Sequence, residues 1–184
     1  GGPLREVGDD ELARRAADAE VPERLLLVRA VQRSDRVLGI GGERLAPQFK
    51  TWGLEKIEVA PAKVNLKPSG QFGVFQSDVV DLGVKNADMV LTFRNYHNMT
   101  PATRALTNKA VFDALKPGGV YGIVDHTRRH MDPGSSETWR RVDPVLVIKE
   151  VEAAGFVFED FSDLHFRPDD SLQFDSQRPS LGGY

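Results

Sequence analysis

The 184 residues predict an α/β fold: a mostly parallel sheet with helices on both faces. Three observations carry this. From residue 87 the pattern reads strand, helix, strand, helix, strand, the alternation that parallel neighbours need because each crossover must bring the chain back to the same end of the sheet. The runs 87–93 (with Met89-Val90-Leu91) and 120–124 are continuously apolar, as strands buried on both faces are. The intervening helical patterns open on proline and close on glycine, the asymmetry set by the missing proline N–H and the free glycine backbone.

Taken in order, residues 1–8 are a lead-in. Asp9-Asp10-Glu11 opens a helix where the dipole favours acids. Pro22 ends that helix and starts a second over Glu23 to Val31, carrying Leu25, Leu26 and Val28. These N-terminal helices occupy 1–34, and one α/β core occupies 35–184 of a single domain. Arg36 to Ile40 is a short strand, broken by Gly41-Gly42. Pro47 interrupts helix in 43–55. Lys56 to Ala60 and Phe72 to Gln76 are strands, separated by a loop whose Lys67-Pro68-Ser69-Gly70 signals a turn. A helix runs from Thr100-Pro101 to Leu115, its apolar residues (Ala105, Leu106, Ala110, Val111, Ala114, Leu115) spaced by threes and fours. Lys116-Pro117-Gly118-Gly119 stops it ahead of strand 120–124. Asp143 caps and Pro144 starts a helix reaching Ala154, which Gly155 ends, and Phe156 to Phe161 is the next strand. The tail 166–184, with Arg167, Asp169 and Asp170, is polar surface.

Composition narrows the function classes. Hydrophobic residues at 40% against 28% charged give a globular balance and exclude wholesale disorder. The net charge of −3 provides no nucleic-acid footprint, and no apolar run approaches the ~20 residues of a membrane span. Without cysteine there is no disulfide framework, thiolate metal site or cysteine nucleophile. The chain opens Gly1-Gly2-Pro3 as a processed terminus would, so a cytoplasmic and an exported location both stay open.

Chemistry is expected beyond the carboxyl ends of parallel strands, where loops and helix N-termini converge. Two such ends are polar: Arg94-Asn95-Tyr96-His97-Asn98 after strand 87–93, and Asp125-His126 after 120–124. Adjacent strands bring His97 and His126 to one rim, and Arg141 and Asp143 before the next helix can join them. Each residue also suits a structural role: asparagine as turn or cap, Tyr96 as packing, His126 bonded to a carbonyl. His126 and His130, four apart, share a helix face only if helix forms there, and Pro133-Gly134 argues against that metal arrangement. No G-x-S-x-G elbow occurs for a serine nucleophile. The glycines Gly39, Gly41 and Gly42 let a backbone approach a nucleotide-like ligand, and equally make an ordinary turn.

The segments "ADMVLTFRNYHNM", "NKAVFDALKPGGVYGIVDH" and "RRVDPVLVIKEVEAAGFVFEDFSDL" resemble a bacterial family of predicted class I S-adenosylmethionine-dependent methyltransferases over roughly 71–184. The resemblance implies a Rossmann-like sheet with a reversed last hairpin, whose last strand has no counterpart here before Tyr184. It implies S-adenosylmethionine held by the loop of Gly39, Gly41 and Gly42, by Glu58 at the ribose, by Asp78 near the adenine and by Asn95. It departs from the family pattern where Gly39 replaces the acid usual at the end of the first strand and Glu43 a further glycine. On this reading Tyr96, His97, His126 and Asp125 are the catalytic set: His97 or His126 removes a proton from a small-molecule acceptor, and Asp125 orients His126.

Two rivals follow from the same residues. One is a relative that keeps the fold without the cofactor and serves as a binding or assembly module. The other is a cofactor-independent lyase or hydrolase using His97, His126 and Asp125. No metal, nucleic acid or membrane partner is expected. A homo-oligomer is left open.

Overall fold

The computed structural model describes residues 37–39, 46–49, 51, 53, 55–134 and 140–173. The chain divides into two compact units, the first of Gly1–Val59 with Asp160–Arg167, the second of Ala60–Glu159 with Pro168–Tyr184. The helices expected from Asp9 and from Glu23 lie outside the described residues, as do Gly41 and Gly42. No helix among the described residues is long and apolar enough to cross a membrane.

In the first unit β1 (Val37–Gly39) and β2 (Ile57–Val59) pair in parallel, with Val37 opposite Ile57 and Gly39 opposite Val59. A single helical turn, α1 (Ala46–Phe49), lies between them in sequence. Pro47 was expected to interrupt helix there. It stands instead as the second residue of α1, where its absent N–H would have no partner anyway.

The second unit begins with short antiparallel pairs: β3 (Lys63–Val64) with β6 (Val80–Asp81), and β4 (Lys67–Pro68) with β5 (Phe75–Gln76). The strand expected from Phe72 shrinks to β5 because 69–73 form the turn, closed by the Ser69 amide on the Val74 carbonyl at 3.0 Å. β7 (Ala87–Phe93) and β8 (Leu115–Val124) then pair in parallel through the crossover helix α2 (Pro101–Ala114). α2 starts where the sequence placed it: Thr100 caps it, its hydroxyl accepting from the Thr103 amide, and Pro101 takes the first turn. Gly118, at φ +76°, makes the reversal that shifts the register between Ala87 and Met89 before regular pairing resumes at Met89 and Val120. α3 (Pro144–Glu152) is capped by Asp143, which accepts from the Val145 amide.

Leu82, Val111 and Ala114 form the centre of the core, flanked by Val80, Val90, Leu115, Tyr121 and Phe156. The residues of β7 are not buried on both faces as expected. Val90 turns toward α2, but Met89 and Leu91 are exposed, because the core lies on one side of this pair. No strand forms at 156–160 either. Phe156 packs its ring edge-on to Phe112 and tilted against Tyr121, at 5.1 and 5.5 Å between centroids, so it seals the core as a plug.

Candidate functional site

Phe93 and Val124 are the last paired residues of β7 and β8. The segments that follow, 94–98 and 125–128, therefore leave from the same carboxyl rim, as the strand-end argument expects. Arg94 takes a left-handed turn at φ +50°, a conformation a non-glycine residue holds at some energetic cost. Its amide stays on the Val124 carbonyl at 2.8 Å, and the chain then folds into a 3-10 turn, Tyr96–Asn98.

That turn drops His97 onto Asp125. Both side chains are nearly fully buried. The Asp125 carboxylate accepts three hydrogen bonds: from the His97 amide at 3.0 Å, from the His126 amide at 2.7 Å and from His97 Nδ1. With Nδ1 turned to the carboxylate, Nε2 is the ring nitrogen left for other partners. No described residue donates to that nitrogen.

His126 is arranged differently. Its Nε2 accepts from Arg94 Nε at 3.1 Å, and its ring lies 5.6 Å from that of His97. Burial pushes its pKa down to about 4; Asp125 opposes this, while Arg94, His97 and Arg141 add to it. His126 is thus neutral at neutral pH with its lone pair engaged. Asp125 was expected to orient the His126 ring; its carboxylate instead faces His97, because the 3-10 turn brings that ring closer, and touches only the backbone of His126.

Tyr96 is wholly buried. Its hydroxyl donates to Glu150 Oε2 at 2.8 Å and accepts from Asn108 Nδ2 at 2.9 Å, and burial pushes its pKa upward, so the phenol stays protonated. It braces the site rather than exchanging protons. Glu150 in turn receives Arg104 through two bonds of 2.7 Å. Burial works against the Arg104 charge, but Glu150 outweighs it and the net shift is upward.

Beside His97 opens a hollow of about 130 Å³. Its charged walls are Arg104, Arg128, Arg141, Asp143 and Glu150, and its apolar wall is Val142, Leu146 and Val147. Arg141 is buried and grips Asp170 through two bonds, at 2.8 and 3.0 Å, and the Thr127 carbonyl at 2.9 Å. Asp170 is therefore a structural partner of the site, not the solvated tail residue expected, because the tail folds back over Arg141. Asp143 holds His130 Nδ1 and the amides of Met131 and Val145; burial alone would raise its carboxyl, and these bonds hold it below the ordinary value.

The expected cofactor residues divide between the two units. Gly39 ends β1 and Glu58 lies in β2 with an exposed side chain, both in the first unit. In the second unit, Asp78 is exposed, 3.8 Å from Lys67 Nζ, and Asn95 is exposed at the entry of the 3-10 turn. Among the described residues no three His, Asp or Glu converge as a metal ion would require. Arg104, Arg128 and Glu150 were not singled out from the sequence: Arg104 and Glu150 carry no spacing that links two different helices. No known protein family, curated protein or solved structure matches the chain.

Proposed function

We propose that the chain is a Rossmann-like, class I S-adenosylmethionine-dependent methyltransferase acting on a small-molecule acceptor, with His97 as its base. One observation carries this reading. His97 is buried at the shared carboxyl rim of two parallel strands, is fixed at Nδ1 by Asp125, and keeps Nε2 without a protein partner beside a hollow.

The cofactor supplies a methyl group already activated as a sulfonium, so alignment and proton removal are what remain for the protein. The residues of the first unit suit a nucleoside in chemical type. A glycine ends β1, a residue that would let backbone come close to a ligand, and the adjacent parallel strand carries a carboxylate, Glu58, able to accept from ribose hydroxyls. In the second unit His97 Nε2 accepts the proton of an acceptor O–H or N–H. The imidazolium so formed donates at Nδ1 to Asp125, which stabilises it and keeps the ring in one orientation. Tyr96, Asn108, Glu150 and Arg104 hold the turn that carries His97.

Calorimetry and thermal melting with S-adenosylmethionine test the reading. Saturable heat and a raised melting temperature are expected, both diminished in Glu58→Ala. Absence of both at millimolar ligand overturns it.

The dyad and the hollow lie within a single unit, and this favours a second reading: a lyase or hydrolase that needs no cofactor. Turnover without S-adenosylmethionine, abolished by His97→Ala in a folded protein, would select it.

A further inference from the structure

We infer that the hollow beside His97 is an anion site, in which Arg128 receives a carboxylate or phosphate group of the acceptor. The word acceptor rests on the methyl-transfer reading; the anion site itself does not.

Arg104 is neutralised by Glu150, and Arg141 by Asp170. The Asp143 carboxylate is occupied by His130 and by two backbone amides, one of them in the first turn of α3. Both carboxylates on the wall therefore have their partners and leave no demand for a bound cation. Arg128 is the exception. Its backbone amide is placed by the Val142 carbonyl at 2.9 Å, but its side chain makes no ion pair among the described residues, and its Nε is buried without a hydrogen-bond partner. A desolvated donor without an acceptor is costly, and a bound anion beside it would lower that cost. The guanidinium is planar, and its terminal nitrogens are spaced to meet two oxygens of a carboxylate or phosphate.

Size agrees with an anionic group rather than a whole nucleotide. A hollow of about 130 Å³ is close in size to an engineered protein cavity that takes up benzene. A carboxylate or a phosphate fills it, and the rest of the acceptor extends outward. His97 borders the same space, so an anion seated on Arg128 holds the neighbouring part of the acceptor beside that residue.

Binding of inorganic phosphate and of acetate, measured separately by calorimetry at low salt, tests this on the full chain. Saturable one-to-one binding of at least one anion is expected, weakened tenfold or more in Arg128→Gln and less in Arg128→Lys. Tighter phosphate identifies a phosphoryl acceptor, tighter acetate a carboxylate. Should Arg128→Gln fail to fold, the His97 ring resonances of the wild type decide: they are expected to move saturably with the bound anion. No saturation by either anion at tens of millimolar, or equal binding by a folded Arg128→Gln, overturns the inference. Anion binding without S-adenosylmethionine binding would overturn only the methyl-transfer reading, and the converse only this one.

Discussion

Replacing Asp125 by asparagine changes almost no volume and removes one acceptor, so its cost can be worked from the three bonds this carboxylate accepts. If the amide oxygen keeps the Oδ1 position, it still serves His97 Nδ1 and the His126 amide. The NH2 then points at the His97 amide, donor against donor, and a buried N–H is orphaned at about 1–3 kcal/mol. The two surviving bonds drop from charge-assisted to neutral strength, at about 0.5–1 kcal/mol each. Burying a neutral amide instead of a charge returns part of this, so a loss of about 2–4 kcal/mol is expected. If the amide flips, the orphan is the His126 amide and NH2 donates to His97 Nδ1, which drives the ring proton to Nε2. Urea unfolding followed by circular dichroism measures the first effect: with a slope of about 2 kcal/mol per molar, the midpoint falls by roughly 1–2 M. Long-range nitrogen–proton NMR of the His97 ring reads the second. A stability change below about 0.5 kcal/mol, together with an unchanged ring tautomer, would refute the claim that Asp125 fixes this histidine.

Glu150→Ala should destabilise by about 2–3 kcal/mol in urea titration, the cost of leaving the half-buried Arg104 uncompensated, reduced for its partial exposure. Gly155→Ala should lower stability by about 1–3 kcal/mol: the residue sits at φ +109°, and an added Cβ would come within 2.9 Å of the Phe112 ring. Stability should also fall on acidification between pH 6.5 and about 4. In that window the unfolded chain protonates His126 while the folded chain keeps it neutral, so the folded form loses ground as pH falls and the loss levels off below about 4. The full shift corresponds to about 3 kcal/mol, and partial exposure reduces this to about 1–2 kcal/mol, which urea midpoints at pH 7 and pH 4.5 would report and a His126→Gln variant would flatten.

The parts of the structure legible in the sequence are those with a local cause. Thr100-Pro101 and Asp143-Pro144 mark helix starts because the cap oxygen and the proline act within one turn. The rim shared by His97 and Asp125 follows from two parallel strands that end in register, Phe93 opposite Val124. Where the cause is tertiary, the sequence is silent. Phe156 to Phe161 has the composition of a strand, yet Phe156 finds aromatic partners instead of a ladder. The division of labour between His97 and His126 depends on Arg94 turning left-handed and donating to the second ring, and no spacing rule foretells that. Arg104 and Glu150, 46 residues apart, and Arg141 and Asp170, 29 apart, meet across separate segments and leave no periodic trace.

These two ion pairs explain why the site is polar where a small domain would gain more from apolar packing. A buried pair contributes little net stability, since desolvation offsets most of the attraction. What it supplies here is placement. Arg104 ties α2 to α3 through Glu150, which also accepts from Tyr96, the residue next to His97. Arg141 ties the segment after β8 to Asp170, and its grip on the Thr127 carbonyl adjoins the bond that seats Arg128 on Val142. Each pair thus fixes the backbone one residue away from a residue that lines the hollow, His97 or Arg128. Apolar residues of equal volume would close that space by collapsing into it. Charges held by directional bonds cannot slide inward, and so they keep the segments that carry His97 and Arg128 in place around the hollow.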